Sequence, residues 1–289
     1  MKNRLPVSLL LALFISLLAY AFQSNNQTGN NDSVTLDRMV DVGGYRLYVN
    51  CAGKNILGSP TVVMDAGGLD SSVSWNKVQP GIAKLTQVCV YDRAGLGRSE
   101  RRPNESYPSQ EIVRDLHSLI VNAHMVAPFI LVGHSFGGMN VRLYASQFPS
   151  EVVGMVLVDS VHEDEMDRWM AMMPAEIKKQ LPTSDEALRK RLAVSEAQVR
   201  AANWHSDIPL IVLTHGIRSP DDYGISSMAA TGEQLRLEMQ EALARLSSRS
   251  KHILAEKSGH YIQRDQPELV IDAIRQVVEA TRIQSRKSF

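Results

Sequence analysis

Neither sign of charge is in excess in this 289-residue chain: Lys plus Arg and Asp plus Glu each number 31, so the formal net charge is zero. Binding a phosphate backbone usually requires a basic surplus, so nucleic acid is not an expected partner. Cysteine is scarce as well. Two residues, Cys51 and Cys89, cannot build a disulfide scaffold, and without a C-x-x-C or H-E-x-x-H pattern a zinc site has no sequence support. No metal or organic cofactor is expected, and the chemistry falls to ordinary side chains. Internal repeats are absent, which sets aside solenoids and propellers. What the chain does have is apolar residues, 44% of the total, enough at this length for a sizeable buried core.

Lys2 and Arg4 precede an apolar run from Leu5 to Phe22, interrupted only by Pro6, Ser8 and Ser16, and charge does not return until Asp32. Such a segment is built for a membrane, at the border between a long signal-peptide core and a short spanning helix. Ala19-Tyr20-Ala21 has the small-x-small pattern of a cleavage site, so residues 1–21 are read as a signal peptide cut after Ala21, with a retained anchor over residues 5–22 as the alternative. The polar, Asn-rich stretch that follows, residues 22–33, suits an exposed tether. Either reading puts the body of the protein outside the cytosol, secreted, periplasmic or membrane-anchored, with no membrane contact beyond that segment.

From Val34 onward, short β-branched runs alternate with longer helical patterns, the order expected of a mostly parallel sheet covered by helices. Strands are predicted at Tyr45–Cys51, Thr61–Asp65, Gln87–Asp92, Phe129–Gly133, Val152–Asp159, Pro209–His215 and His252–Ala255. Several are almost continuously apolar, as befits strands buried on both faces. Helices are predicted at Ser109–Ala123, Met139–Gln147, Gly232–Leu246 and Pro267–Thr281. For the last, Asp265 reads as a cap, Pro267 fits the first turn, and Val270, Ile274, Val277 and Val278 form an apolar stripe. Between Asp159 and Ile208 lie about fifty residues without a strand pattern, read as a helical cap at about 161–206. Met166 and Trp169 there suit either packing on the main core or contact with an apolar ligand.

The sharpest signal is an apolar strand, Phe129 to Val132, running into Gly133-His134-Ser135-Phe136-Gly137 with a helical pattern behind it. A serine at the apex of a tight strand-to-helix turn has strained backbone angles, and side chains two residues away on either side would collide; glycine removes them. The turn also sets Ser135 at a helix N-terminus, where peptide N–H groups favour developing negative charge.

With these residues the sequence resembles the α/β-hydrolase family from about Val42 to Val278, most weakly across Glu163–His205. Tyr91-Asp92-Arg93-Ala94-Gly95-Leu96-Gly97-Arg98-Ser99 resembles the loop after that family's fourth strand, which shapes the site. A nucleotide loop is excluded there because Glu100 stands where G-x-G-x-x-G needs its third glycine. The resemblance implies an α/β fold with an eight-stranded, mostly parallel sheet over residues 34–289 and a small helical cap inserted after the sixth strand. It also implies Ser135 as nucleophile, and His260, in the loop Ser258-Gly259-His260-Tyr261, as its base. His134 reads as buried support, and His117, His124, His205, His215 and His252 as structural.

The acid that orients His260 is open between two places. The family's usual position holds Ser219, with Asp221 and Asp222 slightly beyond; a minority of relatives carry the acid at the end of the preceding strand, where Asp159 stands. Asp159 is taken, with Asp221 or Asp222 as the alternative and a helix cap as its structural role. Met64-Asp65-Ala66-Gly67-Gly68 resembles the family's H-G-x turn with Ala66 for histidine, so the N–H groups of Gly68 and Phe136 are expected to form the oxyanion hole. Trp75, just downstream, reads as core. Cys51 and Cys89 fall on strands that neighbour each other in the family's sheet, either bridged or as two buried thiols.

The reading is a serine hydrolase acting on a small-molecule acyl substrate, most simply a carboxylic ester, through an acyl-enzyme. A ligand-binding or receptor protein on the same fold is the alternative.

Overall fold

A computed structural model of the chain describes residues 36–56, 58–103, 108–179, 183–217 and 229–287. The apolar run Leu5–Phe22, the cleavage position after Ala21, the tether, and Ser219, Asp221 and Asp222 lie outside them. Among the described residues no helix is long and apolar enough to cross a membrane.

The strands are β1 (Leu36–Asp41), β2 (Arg46–Ala52), β3 (Thr61–Asp65), β4 (Val88–Tyr91), β5 (Phe129–His134), β6 (Val152–Val158), β7 (Leu210–His215) and β8 (Ser250–Ala255). They form one eight-stranded sheet in the order β1-β2-β4-β3-β5-β6-β7-β8. β2 is antiparallel to β1 and β4, and the remaining pairs are parallel. The seven predicted strands are all present, each within two residues of its expected bounds. β1 has no counterpart in the sequence reading: LDRMVD at the sheet edge is half exposed and lacks an apolar run.

The helices are α1 (Gln79–Ala83), α2 (Ser109–Asn122), α3 (Phe136–Gln147), α4 (Glu165–Met172), α5 (Ala175–Lys178), α6 (Thr183–Ala202), α7 (Ala229–Ala244), α8 (Ile262–Asp265) and α9 (Pro267–Lys287). Successive residues of the central strands feed opposite cores, as the period of two in a strand requires. Phe129, Leu131, Met155, Leu157, Leu210 and Val212 pack with α2 and α3, while Ile130, Val132, Val156, Val158, Ile211 and Leu213 pack with α1 and α9. Both faces being covered, these strands read as continuous apolar runs.

The stripe Val270, Ile274, Val277 and Val278 of α9 is buried in the second core, each side chain contributing about 1.5–3 kcal/mol. Asp265 does not cap this helix. It ends α8, and its Oδ2 accepts hydrogen bonds from Gly259 N and Ser258 Oγ, both at 3.1 Å. Trp75 is fully buried in the core, as expected. Cys51 faces Cys89 across β2 and β4, and the two form a disulfide.

Candidate active site

Because β3, β5, β6, β7 and β8 are parallel, the segments leaving them lie along one edge of the sheet, where ligands bind in open α/β folds. β5 passes into α3 through Ser135, at φ 53° and ψ −122°, a conformation costing on the order of 1–3 kcal/mol for a residue with a side chain. The flanking glycines are required by contact. A Cβ on Gly133 would sit 2.6 Å from the backbone of Gly138, and one on Gly137 would lie 2.5 Å from the carbonyl oxygens of Asp65 and Ala66. Ser135 N donates to Val158 O at 3.1 Å, which sets the turn beside the end of β6.

Asp159 follows β6 directly. Its Oδ2 accepts from His260 Nδ1 at 2.6 Å and also from His215 Nδ1 at 2.6 Å, while Oδ1 accepts from His215 N at 3.1 Å. Burial pushes this carboxyl up, but the hydrogen bonds from His215 and His260 outweigh it and hold Asp159 well below the usual carboxylate range. An ionised carboxylate only accepts, so both Nδ1 atoms carry protons, and in a neutral His260 ring Nε2 is the basic nitrogen. His260 is half-buried and Asp159 buried.

His134, beside Ser135, is buried; its Nε2 donates to the backbone oxygen of His260 at 2.9 Å, and the two rings lie 4.7 Å apart. Burial, then the neighbouring His260, lowers the His134 pKa to about 4, so it is neutral at pH 7. It ties the His260 loop to the serine turn, the supporting role expected of it.

Gly68 follows β3 and sits against Phe136: a Cβ there would be 3.8 Å from Phe136 Cβ. Gly68, Ser135 and Phe136 together line a cavity of about 600 Å³. The nucleophile candidate and both oxyanion candidates thus border the same cavity.

A family model for the alpha/beta hydrolase fold matches residues 60–202. The uncharacterised protein YqjL of Bacillus subtilis is 30% identical over 220 residues, covering 75% of this chain and 83% of that protein. The chain belongs to the α/β-hydrolase fold family. Among solved structures, a thermophilic esterase from Thermogutta terrifontis superposes with a TM-score of 0.60 at 17% identity, covering 86% of this chain and 99% of that one. A haloalkane dehalogenase variant from Bradyrhizobium elkanii gives 0.64 at 16% identity, covering 88% and 100%. Likeness at these identities is likeness of fold. Family membership supports a hydrolase in general terms.

In this α/β-hydrolase, the cavity beside Ser135 is walled mainly by apolar side chains, among them Leu47, Leu69, Ile112, Met166 and Trp169. Glu165 and Glu196 interrupt that wall, and burial raises Glu196 to about 7. A second cavity of about 800 Å³ lies against Asp159, His215 and His260 and shares Val161, Glu165 and Trp169 with the first. Met166 and Trp169 therefore face a cavity.

His215 is the residue whose partner sequence reasoning did not find. It ends β7 and was expected to be structural, yet it shares the carboxylate oxygen that His260 uses. Asp159, His215 and His260 have ligand-type atoms within 4.8 Å of one another, but both ring Nδ1 atoms are engaged by the Asp159 carboxylate. Of the other histidines expected to be structural, His117 stacks on Phe148 at 3.9 Å between ring centres, and His252 Nε2 meets Thr214 Oγ1 at 2.7 Å.

Proposed function

We propose that this protein is a serine hydrolase cleaving a carboxylic ester or a related acyl bond, with Ser135 as nucleophile, His260 as base and Asp159 as orienting acid. The observation that carries the reading is the 2.6 Å hydrogen bond from His260 Nδ1 to Asp159, on the strand-end edge that also bears Ser135. His260 Nε2 takes the Ser135 proton as Oγ attacks the carbonyl carbon, and the Gly68 and Phe136 N–H groups hold the oxyanion. The leaving group receives the proton and departs; water then attacks the acyl-enzyme through the same imidazole. The apolar lining beside Ser135 favours an ester with an apolar part of small or medium size. A lactone, an amide or a carbon–carbon bond in a diketone would use the same groups.

The Cys51–Cys89 disulfide supports an extracytoplasmic setting, in keeping with the apolar run Leu5–Phe22. A fluorophosphonate probe tests the chemistry. Wild type is expected to be labelled and Ser135→Ala not. A folded wild type that stays unlabelled and hydrolyses no p-nitrophenyl ester of any chain length would replace this reading with a ligand-binding protein on the same fold.

A further inference from the structure

Arg93, in the loop after β4, is buried, with its side chain 6% exposed. Its guanidinium faces four oxygens of one neighbouring segment. Nη1 donates to Asp65 Oδ1 at 2.5 Å and to Ala66 O at 2.6 Å; Nη2 donates to Gly67 O and, at 2.9 Å, to Gly68 O. Three consecutive carbonyls are therefore drawn to one cation, Gly67 O accepting from Asp70 N as well at 3.1 Å, and Ala66, Gly67 and Gly68 have no polar side chains to add to that hold. In a trans peptide the C=O and N–H point in opposite directions. Anchoring Gly67 O on the guanidinium consequently turns the Gly68 N–H away from it, and no backbone carbonyl among the described residues accepts that N–H.

The same group reaches the other oxyanion donor. Asp65 accepts from Asn140 Nδ2 at 2.9 Å through its second oxygen, and Asn140 lies on α3, the helix that begins at Phe136. The guanidinium carbon is also 5.9 Å from the centre of the Phe136 ring. One planar fork thus joins the turn that carries Gly68 to the helix that carries Phe136, a geometry for which the single ammonium of lysine is unsuited.

We propose that Arg93 is the positioning residue of the oxyanion hole: by clamping the carbonyls of residues 66–68, and through Asp65 and Asn140, it fixes the direction of the Gly68 N–H and its separation from that of Phe136. The proposal rests on the serine-hydrolase reading above. Arg93→Lys keeps a positive charge opposite Asp65 but cannot span three carbonyls. With a p-nitrophenyl ester that wild type hydrolyses, the variant is expected to lose ~10²-fold in kcat, with KM within ~3-fold. Its affinity for a trifluoromethyl ketone, which forms an oxyanion on Ser135, should fall by the same factor, while affinity for the corresponding unreactive alcohol stays unchanged. A purely structural role would weaken both ligands together.

Unchanged kcat and ketone affinity in Arg93→Lys, or parallel loss of both ligands, would overturn the proposal and leave the serine-hydrolase reading intact. A wild type inert to ester and fluorophosphonate alike overturns both. Should Arg93→Lys fail to fold, Asn140→Leu cuts the link to α3 without leaving a charge unpaired. It is expected to lower kcat and ketone affinity together by ~10-fold, and no change in either rejects the proposal.

Discussion

At the scale of single residues, the carboxylate of Asp159 is shared. One oxygen accepts from two imidazoles, and the backbone of His215 holds the other, so the carboxylate has little freedom to rotate away from His260. Asp159→Asn keeps the shape but sets an NH2 group either against the two imidazole N–H groups or against the His215 N–H, and it removes the negative charge that stabilises a protonated His260. Turnover is expected to fall on the order of 10⁴-fold, measured as kcat on the best p-nitrophenyl ester. A loss below ~10-fold would move the acid to Asp221 or Asp222, and the large loss would then appear on substituting one of those. Sequence alone could not have brought His215 to this oxygen. Asp159 and His215 stand 56 positions apart, and they meet because β6 and β7 lie side by side and both end at this edge.

At the scale of elements, the strand–turn–helix around Ser135 was readable because its requirements are local. A left-handed serine between two glycines follows from backbone sterics, and the apolar run before it and the helical pattern after it are properties of neighbouring residues. Gly137→Ala tests how tightly this element is set. In an open helix the change would stabilise by up to about 1 kcal/mol. Here the new methyl meets backbone oxygens of Asp65 and Ala66 at 2.5 Å, so the expected sign is reversed: a loss of about 1–3 kcal/mol in thermal or urea unfolding, together with lost turnover as the oxyanion turn is pushed away. A variant as stable and as active as wild type would contradict the close packing described. The misread Asp265 shows the opposite case. Its spacing before Pro267 fits a helix cap, but the carboxylate is taken by Gly259 and Ser258 and steadies the loop that carries His260. A local pattern records what a side chain is able to do, and the competing partner comes from the turn before it.

At the scale of the whole molecule, the disulfide joins β2 to β4 across 38 positions, beside the strand end from which the Arg93 loop departs. Closing a loop of that length restricts the unfolded chain by about 4 kcal/mol. Replacing Cys51 and Cys89 with serine, or reducing the wild type, is expected to lower the urea midpoint correspondingly. Equal midpoints with and without reductant would show that the bridge adds nothing to stability.

Alternating burial, glycine placement and the order of strands and helices are written along the chain, because they depend on steric and solvation preferences of adjacent residues. From them came the strands and the serine turn, while Asp159 and His260 became candidates through the resemblance to the α/β-hydrolase family. β1 escaped because an edge strand exposed on one side has little apolar signal. The sharing of one carboxylate by two histidines, the cavities beside Ser135 and His260 and the grip of Arg93 on the turn after β3 became visible only once the chain was folded. They join residues 25 to 101 positions apart, and contacts at such separations are set by how the strands pack beside one another.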